Sequence, residues 1–210
     1  MPNSKIPMHN SYQLERRTFL AGGIALLAVS SPLRAVAALT RQQATGLIGQ
    51  LVNDLNAIIN SGKPEKAMYK DFENLLRKYA DLNIIARSSL GAAWRQATPS
   101  QRKRYTEAFI SYLAAKYGKR FREFIGGKIV VTDTRKVKSG YLVNSTAYLP
   151  GQAPFAVDWQ VSDRSGKNKM FNLYIEGISL LATERTEIGS MLDRRHGNIE
   201  KLIVDLKKLG

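Results

Sequence analysis

Apolar side chains in the first half of the chain, from about residue 40 onward, recur at intervals of three and four residues. This is the period of a helix with one buried face. The spacing predicts a helix over residues 40–61, which Gly62 ends, and a second over residues 64–79. A third predicted helix begins at the capping residue Asp81 and continues through Trp94.

The clearest local signal is the segment Thr98-Pro99-Ser100-Gln101. Its first and last residues can exchange hydrogen bonds in a capping box, and proline suits the first helical position because its missing N–H costs nothing there. The signal predicts a fourth helix that runs to about Ile125 and stops at Gly126-Gly127. One face of this helix is unusually aromatic and carries Tyr105, Phe109, Tyr112, Leu113, Tyr117, Phe121 and Phe124.

After these glycines the hydrophobic period changes to two, which is typical of β-strands. Four strands are predicted, over residues 129–137, 140–148, 154–161 and 168–175. Because short turns join them, neighbouring strands are expected to pair antiparallel. The apolar face of this sheet carries Phe155, Val157, Trp159, Val161, Phe171, Leu173 and Ile175. The opposite face carries Asp158, Gln160 and Asn172 and is expected to face water.

A last helical region is predicted over residues 185–195 and 198–209. Helices, then consecutive antiparallel strands, then helices indicate an α+β domain. We expect a curved antiparallel sheet of about four strands, wrapped by helices, to curl against the long aromatic helix. The two apolar faces carry more large side chains than one small core needs. They either pack directly on each other or are held apart around an elongated apolar cavity.

Residues 1–37 have the order of charged, apolar and small residues of a cleaved export signal. The segment Arg16-Arg17-Thr18-Phe19-Leu20 resembles the twin-arginine export motif, and Ala35-Val36-Ala37 suits cleavage. We therefore expect residues 38–210 to form one exported domain in the periplasm. The chain has no cysteine, so neither a disulfide nor a lipid-anchored N-terminal cysteine is expected. The alternative is an amphipathic N-terminal helix of a cytoplasmic protein.

The formal charge of the chain is +15, and +12 of it remains after residue 37, because the first 37 residues carry four basic side chains and one acidic side chain. Such an excess attracts anionic partners. In the cytoplasm the first candidate would be nucleic acid. Outside the inner membrane it is the lipid headgroups of a membrane surface. A solvated surface that serves only solubility is the alternative.

Few residues are candidates for catalysis. After residue 37 the chain has one histidine, His196, and no cysteine, so the common zinc and nucleophile sites cannot be assembled. Asp158 and Glu176 are expected to pair with basic residues rather than to act together as acid and base. Gly126-Gly127 lacks the strand–glycine–helix order of a phosphate loop. We expect neither an enzyme, nor a metal site, nor a cofactor.

Residues 81–117 resemble the MlaC family of periplasmic phospholipid-binding proteins, also called the toluene-tolerance family. The matching positions are Leu90-Gly91, Trp94-Arg95, Ala97-Thr98-Pro99-Ser100-Gln101-Arg102, Phe109 and Tyr117. Later matches follow in the family's order, at Gly140-Tyr141-Leu142-Val143, Val157-Asp158-Trp159-Gln160-Val161, Ile175-Glu176-Gly177-Ile178-Ser179-Leu180, Arg185-Thr186-Glu187-Ile188 and residues 197–206. The loosest match is Asn172-Leu173-Tyr174-Ile175.

The resemblance implies a curved sheet and helices that enclose lipid tails while the headgroup stays near water. It implies a carrier that shuttles phospholipid between an inner-membrane ABC transporter complex and an outer-membrane lipoprotein complex, in traffic linked to outer-membrane lipid asymmetry. Such a carrier is expected to be a monomer, to touch membrane surfaces transiently and to bind no nucleic acid.

The apolar faces and matching motifs supply the candidate lipid-binding residues. They are Trp94, Phe109, Leu113, Tyr117, Phe121, Val143, Val157, Trp159, Val161, Leu173 and Ile175. Ordinary core packing is the alternative for any one of them. Arg95 and Arg102 lie in a matching motif and are candidates for contact with lipid or with a partner protein.

Two other functions stay open at the level of sequence. A branch of the same family is associated with hopanoid synthesis, so the cargo could be a rigid polycyclic lipid. A small exported enzyme on a similar curved-sheet scaffold is the second, because a fold does not by itself determine function.

Overall fold

A computed structural model describes residues 38–210, apart from the side chains of Phe121 and Arg122. Within this range the elements are, in order, α1 (Arg41–Ile59), α2 (Glu65–Tyr79), α3 (Leu82–Leu90), α4 (Ala93–Gln96), α5 (Pro99–Gly118), α6 (Phe121–Phe124), β1 (Lys128–Val137), β2 (Gly140–Tyr148), β3 (Phe155–Ser162), β4 (Lys169–Ile175), β5 (Ile178–Ser179), α7 (Leu180–Asp193) and α8 (Ile199–Leu209). The predicted α+β class is confirmed. The predicted export signal, residues 1–37, lies outside the described residues and stays a prediction.

The strands form one open sheet in the order β1-β2-β3-β4-β5, and every neighbouring pair is antiparallel. The four predicted strands are confirmed with boundaries that shift by one residue at most. The fifth strand, β5, was not predicted, because two residues are too few to show a hydrophobic period.

Two details of β4 differ from the predicted alternation. Trp159 pairs with Leu173, but after a shift in register Val161 pairs with Met170, so Met170 and not Phe171 lies opposite Val161. Asn172 does not face water, since only 7% of it is exposed. Its side-chain oxygen accepts hydrogen bonds from the backbone N–H groups of Leu173 and Leu181, and the second of these bonds holds the start of α7.

The capping box of α5 is present as predicted. Thr98 Oγ1 accepts from the backbone N–H of Gln101 at 3.2 Å, and Gln101 Oε1 accepts from that of Thr98 at 2.9 Å. The predicted end of this helix is wrong, because α5 stops at Gly118 and a separate short helix, α6, follows. The predicted third helix is also shorter, since Gly91 takes a positive φ of 62° and ends α3 before Trp94.

The sequence predicted that the sheet packs against the long aromatic helix, α5, and this prediction of the covering helix is wrong. The inner face of β1, β2 and β3 packs against α1 instead, around Ile48, Val52, Val143 and Val161. α5 packs mainly on α8 and α2. A hydrophobic period shows that a helix has a buried face but does not say which element covers that face.

A second core lies between α3, α5, α7 and α8. Tyr105 and Phe109 stack with ring centroids 5.5 Å apart, and Tyr112 continues the stack. The hydroxyl of Tyr105 lies 2.8 Å from Ser89 Oγ, so its buried polar atom is paired. Most of the aromatic face of α5 therefore packs against other helices.

None of the helices between residues 38 and 210 combines the length and apolar character that a membrane span requires.

Candidate functional site

An apolar cavity of about 260 Å³ lies between the helices and the sheet. Helical lining residues are Leu51, Leu55 and Ile59 of α1, Phe72, Leu75, Leu76 and Tyr79 of α2, Ile85 of α3, Leu113 and Tyr117 of α5, Phe124 of α6, and Leu180, Leu181 and Glu184 of α7, with Arg120 between α5 and α6. The sheet contributes Ile129, Phe155, Val157, Trp159, Met170, Phe171, Asn172, Leu173 and Ile175. A cavity between sheet and helices was the second of the two arrangements that the sequence allowed.

The cavity forms because α1 covers only part of the sheet. α1 packs chiefly on β1 and β2 and covers only part of β3, which leaves the rest of β3 and the inner face of β4 free to line the cavity. The opposite wall comes from α2, whose residues Phe72, Leu75, Leu76 and Tyr79 follow helical spacing and so share one face. Ordinary amphipathic patterning therefore builds the walls.

Six of the eleven candidate lipid-binding residues line this cavity, namely Leu113, Tyr117, Val157, Trp159, Leu173 and Ile175. Val143 and Val161 lie on the same face of the sheet but in the core beneath α1. Phe109 is buried in the second core, and Trp94 packs against it from α4. The side chain of Phe121 lies outside the described residues.

The candidates did not include the lining residues of α1 and α2. Their apolar spacing was clear in the sequence, but it predicted only that each helix has a buried face. Nor did they include the polar lining residues Arg120, Asn172 and Glu184. A single polar residue within an apolar pattern does not show whether its side chain faces a cavity.

Two of these polar residues are paired within the protein. Asn172 is held by Ser179 and by backbone N–H groups, as described above. Arg120 is largely exposed and forms an ion pair with Glu123 at 3.3 Å. Trp159 donates its indole N–H to Ser145 Oγ at 2.9 Å, which leaves its rings as the apolar surface of the cavity wall.

Glu184 belongs to a charged cluster that connects α5 and α7. Lys116 donates to Glu184 Oε1 at 2.7 Å and also to Glu187 Oε2, while Tyr117 donates to Glu184 Oε1. Tyr112 donates to Glu187 Oε1 at 2.6 Å. Burial disfavours the charged form of Lys116, but its bonds to both carboxylates outweigh burial and raise its pKa.

Both tyrosines in the cluster are held as neutral hydrogen-bond donors. Burial raises the pKa of Tyr117 and Tyr112, and their hydrogen bonds to Glu184 and Glu187 raise it further. Tyr117 and Glu184, which line the cavity, therefore belong to an ordered network of donors and carboxylates that forms its polar edge.

Arg102, a candidate for contact with lipid or a partner, serves the fold in this structure. Its Nε donates to the carbonyl oxygen of Trp94 at 2.9 Å, and its guanidinium lies 5.5 Å from the centre of the Trp94 ring. It thereby fixes α4 against the start of α5. Arg95 is exposed to solvent.

The sequence predicted no metal site and left His196 as the single histidine after residue 37. Between residues 38 and 210, no group of three or more His, Asp or Glu side chains is placed to hold a metal ion. His196 lies in the turn between α7 and α8 with a φ of 54°. The chemistry of the cavity is that of an apolar binding site with one polar edge.

Comparison with known proteins places this fold in a family. The toluene tolerance protein ttg2D of Pseudomonas putida is 26% identical over 191 residues, which are 89% of this chain and 88% of that protein. A phospholipid-binding protein from Ralstonia solanacearum, solved in complex with a phospholipid, shares the fold with a TM-score of 0.68 and 21% identity over 79% of this chain and 96% of its own. The family model of MlaC protein matches residues 49–208. Because this match covers most of the sequence, the chain belongs to the MlaC family.

Proposed function

We propose that this chain is a periplasmic carrier that binds a phospholipid with its tails in the apolar cavity and its headgroup at the polar edge. The observation that carries the proposal is the cavity itself, whose walls are almost wholly apolar and whose polar atoms are nearly all paired within the protein. Nothing in this arrangement requires a reaction, so the proposal includes no catalytic step.

The energetics of lipid extraction favour a cavity of this kind over a surface groove. Burial of a methylene is worth about 0.8 kcal/mol, so a lipid with about thirty of them is held in a bilayer by on the order of 20 kcal/mol. A carrier must offset most of this cost by burying the tails. Small-ligand sites have volumes of about 300–1,000 Å³. Because this cavity measures about 260 Å³, a two-chain lipid requires its walls to move apart or its tails to reach through the opening.

The relatives support phospholipid as the cargo. The Ralstonia solanacearum protein binds a phospholipid, and it shares the fold over nearly its whole length. We extend this ligand class to the present chain, together with a role as the soluble component of an ABC-type system. In that system the carrier would exchange lipid with an inner-membrane transporter complex and an outer-membrane lipoprotein complex, and so maintain outer-membrane lipid asymmetry.

Export is part of the same proposal. We propose that residues 1–37 are a cleaved signal of the twin-arginine type and that the remaining domain works as a monomer free to diffuse between the two membranes. N-terminal sequencing of the protein from the cell envelope tests this point. A sequence that begins near residue 38 is expected, and an intact Met1 would contradict it.

Mass spectrometry of the lipid that co-purifies with the protein from the periplasmic fraction tests the carrier function. We expect about one phospholipid per chain. Leu173→Trp puts a larger side chain into the cavity and is expected to lower lipid occupancy at least tenfold. Val204→Trp is the matched control, because Val204 is 51% exposed on α8 and does not line the cavity.

A protein that carries no lipid, and takes up none from vesicles, would overturn the proposal. If instead Leu173→Trp folds and carries as much lipid as the Val204→Trp control, the cavity is not the binding site.

A further inference from the structure

Arg120 places a positive charge at the boundary between the apolar cavity and solvent. It follows the end of α5, one turn beyond Tyr117 of the polar edge, whose carbonyl oxygen accepts from the Arg120 backbone N–H at 3.1 Å. Its side chain lines the cavity, yet 66% of it is exposed. Among the lining residues that the structure describes, it is the one with a basic side chain. This charge therefore lies where the cavity opens to water.

The ion pair that Arg120 makes within the protein is a weak one. Its Nη2 and Nε lie 3.3 Å and 3.4 Å from the same oxygen, Oε2 of Glu123. Strong charge-assisted hydrogen bonds are about 2.7–2.9 Å long. Arg104, for comparison, donates to both oxygens of Glu200 at 2.6 Å. Since the side chains of Arg120 and Glu123 are both more than half exposed, their pair adds little stability, and Arg120 can leave it for another anion at low cost.

The position of Arg120 indicates which anion it would meet. In the proposed complex the lipid tails fill the cavity, and the phosphate is the first charged group beyond the glycerol that joins them. That phosphate would lie at the boundary with water, while the rest of the headgroup stays in solvent. A guanidinium suits this partner, because its parallel N–H donors match two oxygens of a phosphate.

We propose that Arg120 binds the phosphate of the bound lipid at the opening of the cavity, in place of Glu123. The inference rests on the proposed function, since it assumes that lipid tails occupy the cavity. It adds a specificity that the apolar walls do not have, because they cannot distinguish a phospholipid from a neutral lipid with the same tails, such as a diacylglycerol.

A competition between two lipids with identical acyl chains tests this selectivity. Phosphatidylcholine carries the phosphate, whereas diacylglycerol ends in a hydroxyl. Protein expressed as the full chain, exported, purified and freed of lipid is equilibrated with phosphatidylcholine vesicles that contain a minor share of diacylglycerol, and the bound lipids are measured by mass spectrometry. We expect phosphatidylcholine to be enriched about tenfold over its ratio in the vesicles, as a hydrogen bond to a charged group allows. Because phosphatidylcholine has no net charge, this enrichment would not come from the overall charge of the protein.

Two variants of neighbouring residues separate the contact with phosphate from general charge. Arg120→Gln removes the guanidinium, so the enrichment is expected to fall to within about twofold, while the cavity still holds tails. Lys119→Gln is the matched control, because it removes the same charge from an exposed residue that does not line the cavity. This control is expected to keep the wild-type enrichment.

Free phosphate is the other source of the same chemistry. An excess of inorganic phosphate in the mixture is expected to leave the enrichment unchanged, because bound tails hold the lipid phosphate next to Arg120 at a high effective concentration. Loss of the enrichment there would assign the site to free phosphate and overturn the inference.

The remaining outcomes distinguish this inference from the carrier function. If no lipid binds, both are wrong. If the wild type takes up the two lipids in their vesicle ratio, the inference is overturned and the carrier function is not, and this result does not depend on whether a variant folds. If Arg120→Gln keeps the enrichment, or Lys119→Gln loses it to the same extent, Arg120 does not bind the phosphate.

Discussion

Glu187 shows how one carboxylate can connect two helices. It sits on α7 and accepts hydrogen bonds from Tyr112 and Lys116 of α5. Burial acts to raise the pKa of Glu187, but these hydrogen bonds outweigh burial and hold the pKa below its ordinary value of 4.5. The proton is therefore bound more weakly in the folded chain than in the unfolded one.

This difference gives a dependence of stability on pH. Because the folded pKa is lowered, the stabilisation from Glu187 is fully present above pH 4.5 and is lost as the pH falls below that value. We expect the free energy of unfolding to drop between pH 6 and pH 3.5, and to drop less in Glu187→Gln. Since the Glu187 side chain is 42% exposed, its share is less than about 1 kcal/mol.

Urea unfolding at the two pH values measures the effect. Asp193→Asn, an exposed acid at the end of the same helix, is the control and is expected to keep the wild-type pH dependence. If Glu187→Gln loses as much stability at pH 3.5 as the wild type does, the carboxylate is not a folding contact.

For single residues, the sequence predicted which face of the sheet is apolar, but not which residues of that face line the cavity and which pack in the core. Trp159 and Val161 lie on the same face of β3, yet Trp159 lines the cavity and Val161 lies beneath α1. Period-two patterning separates the two faces of a strand, but it has no information on where along that face a helix stops covering it. Glu184 was missed for a related reason, since its place in the cavity wall depends on three-dimensional packing.

The crossing of α2 and α5 depends on Gly118. A Cβ atom built on this residue would overlap the ring of Tyr69 in α2. The backbone there is helical, so the glycine is not needed for an unusual φ. It is needed because the two helices approach closely at that point, where α5 ends.

We therefore expect Gly118→Ala to destabilise the protein by about 1–3 kcal/mol, although alanine is the better helix former, because the extra methyl group overpacks the crossing. Gly46→Ala in α1 is the matched control. It lies in a helix with no atom within 4 Å of the added Cβ, and it is expected to stabilise by up to about 1 kcal/mol. Urea midpoints of the two variants measure both effects, and equal shifts would show that the crossing tolerates a side chain.

Element types were predicted well, and their ends and partners less well. The strands were correct within one residue because short turns and a change of period bound them on both sides. The break after Gly118 was missed because apolar residues continue at helical spacing through Phe121 and Phe124. The helix α7 was predicted to begin five residues late, because Ser179 was not recognised as its cap.

The whole molecule carries an excess of positive charge, +12 after residue 37. A carrier that exchanges lipid must first meet a membrane, and an anionic surface attracts basic side chains by about 1 kcal/mol each near the surface. This attraction extends over about one Debye length, roughly 8 Å at physiological ionic strength. Charge thus gives a transient contact rather than an anchor.

We expect the purified protein to bind vesicles that contain phosphatidylglycerol at low salt and to leave them as salt is raised to about 0.5 M, where screening shortens the range of the attraction. Vesicles of phosphatidylcholine alone are the control and are expected to bind little protein at any salt concentration. Co-sedimentation measures both. Salt-independent binding would show that apolar insertion, and not charge, brings the protein to the membrane.

The cavity described above also has a thermodynamic consequence. An enclosed apolar cavity that stays empty costs roughly 24 cal/mol for each cubic ångström, so about 260 Å³ sets an upper limit of about 6 kcal/mol on the cost in the protein without lipid, because this cavity is partly open. The whole free energy of unfolding of a domain is only about 5–15 kcal/mol.

Cargo that fills the cavity would return much of this cost. We therefore expect the melting temperature of the loaded protein to exceed that of the delipidated protein by at least about 5 °C. Equal melting temperatures would contradict this linkage. If this linkage and the proposed carrier function both hold, the lifetime of the protein reports its occupancy, because a chain without lipid is the form that heat or a protease removes first.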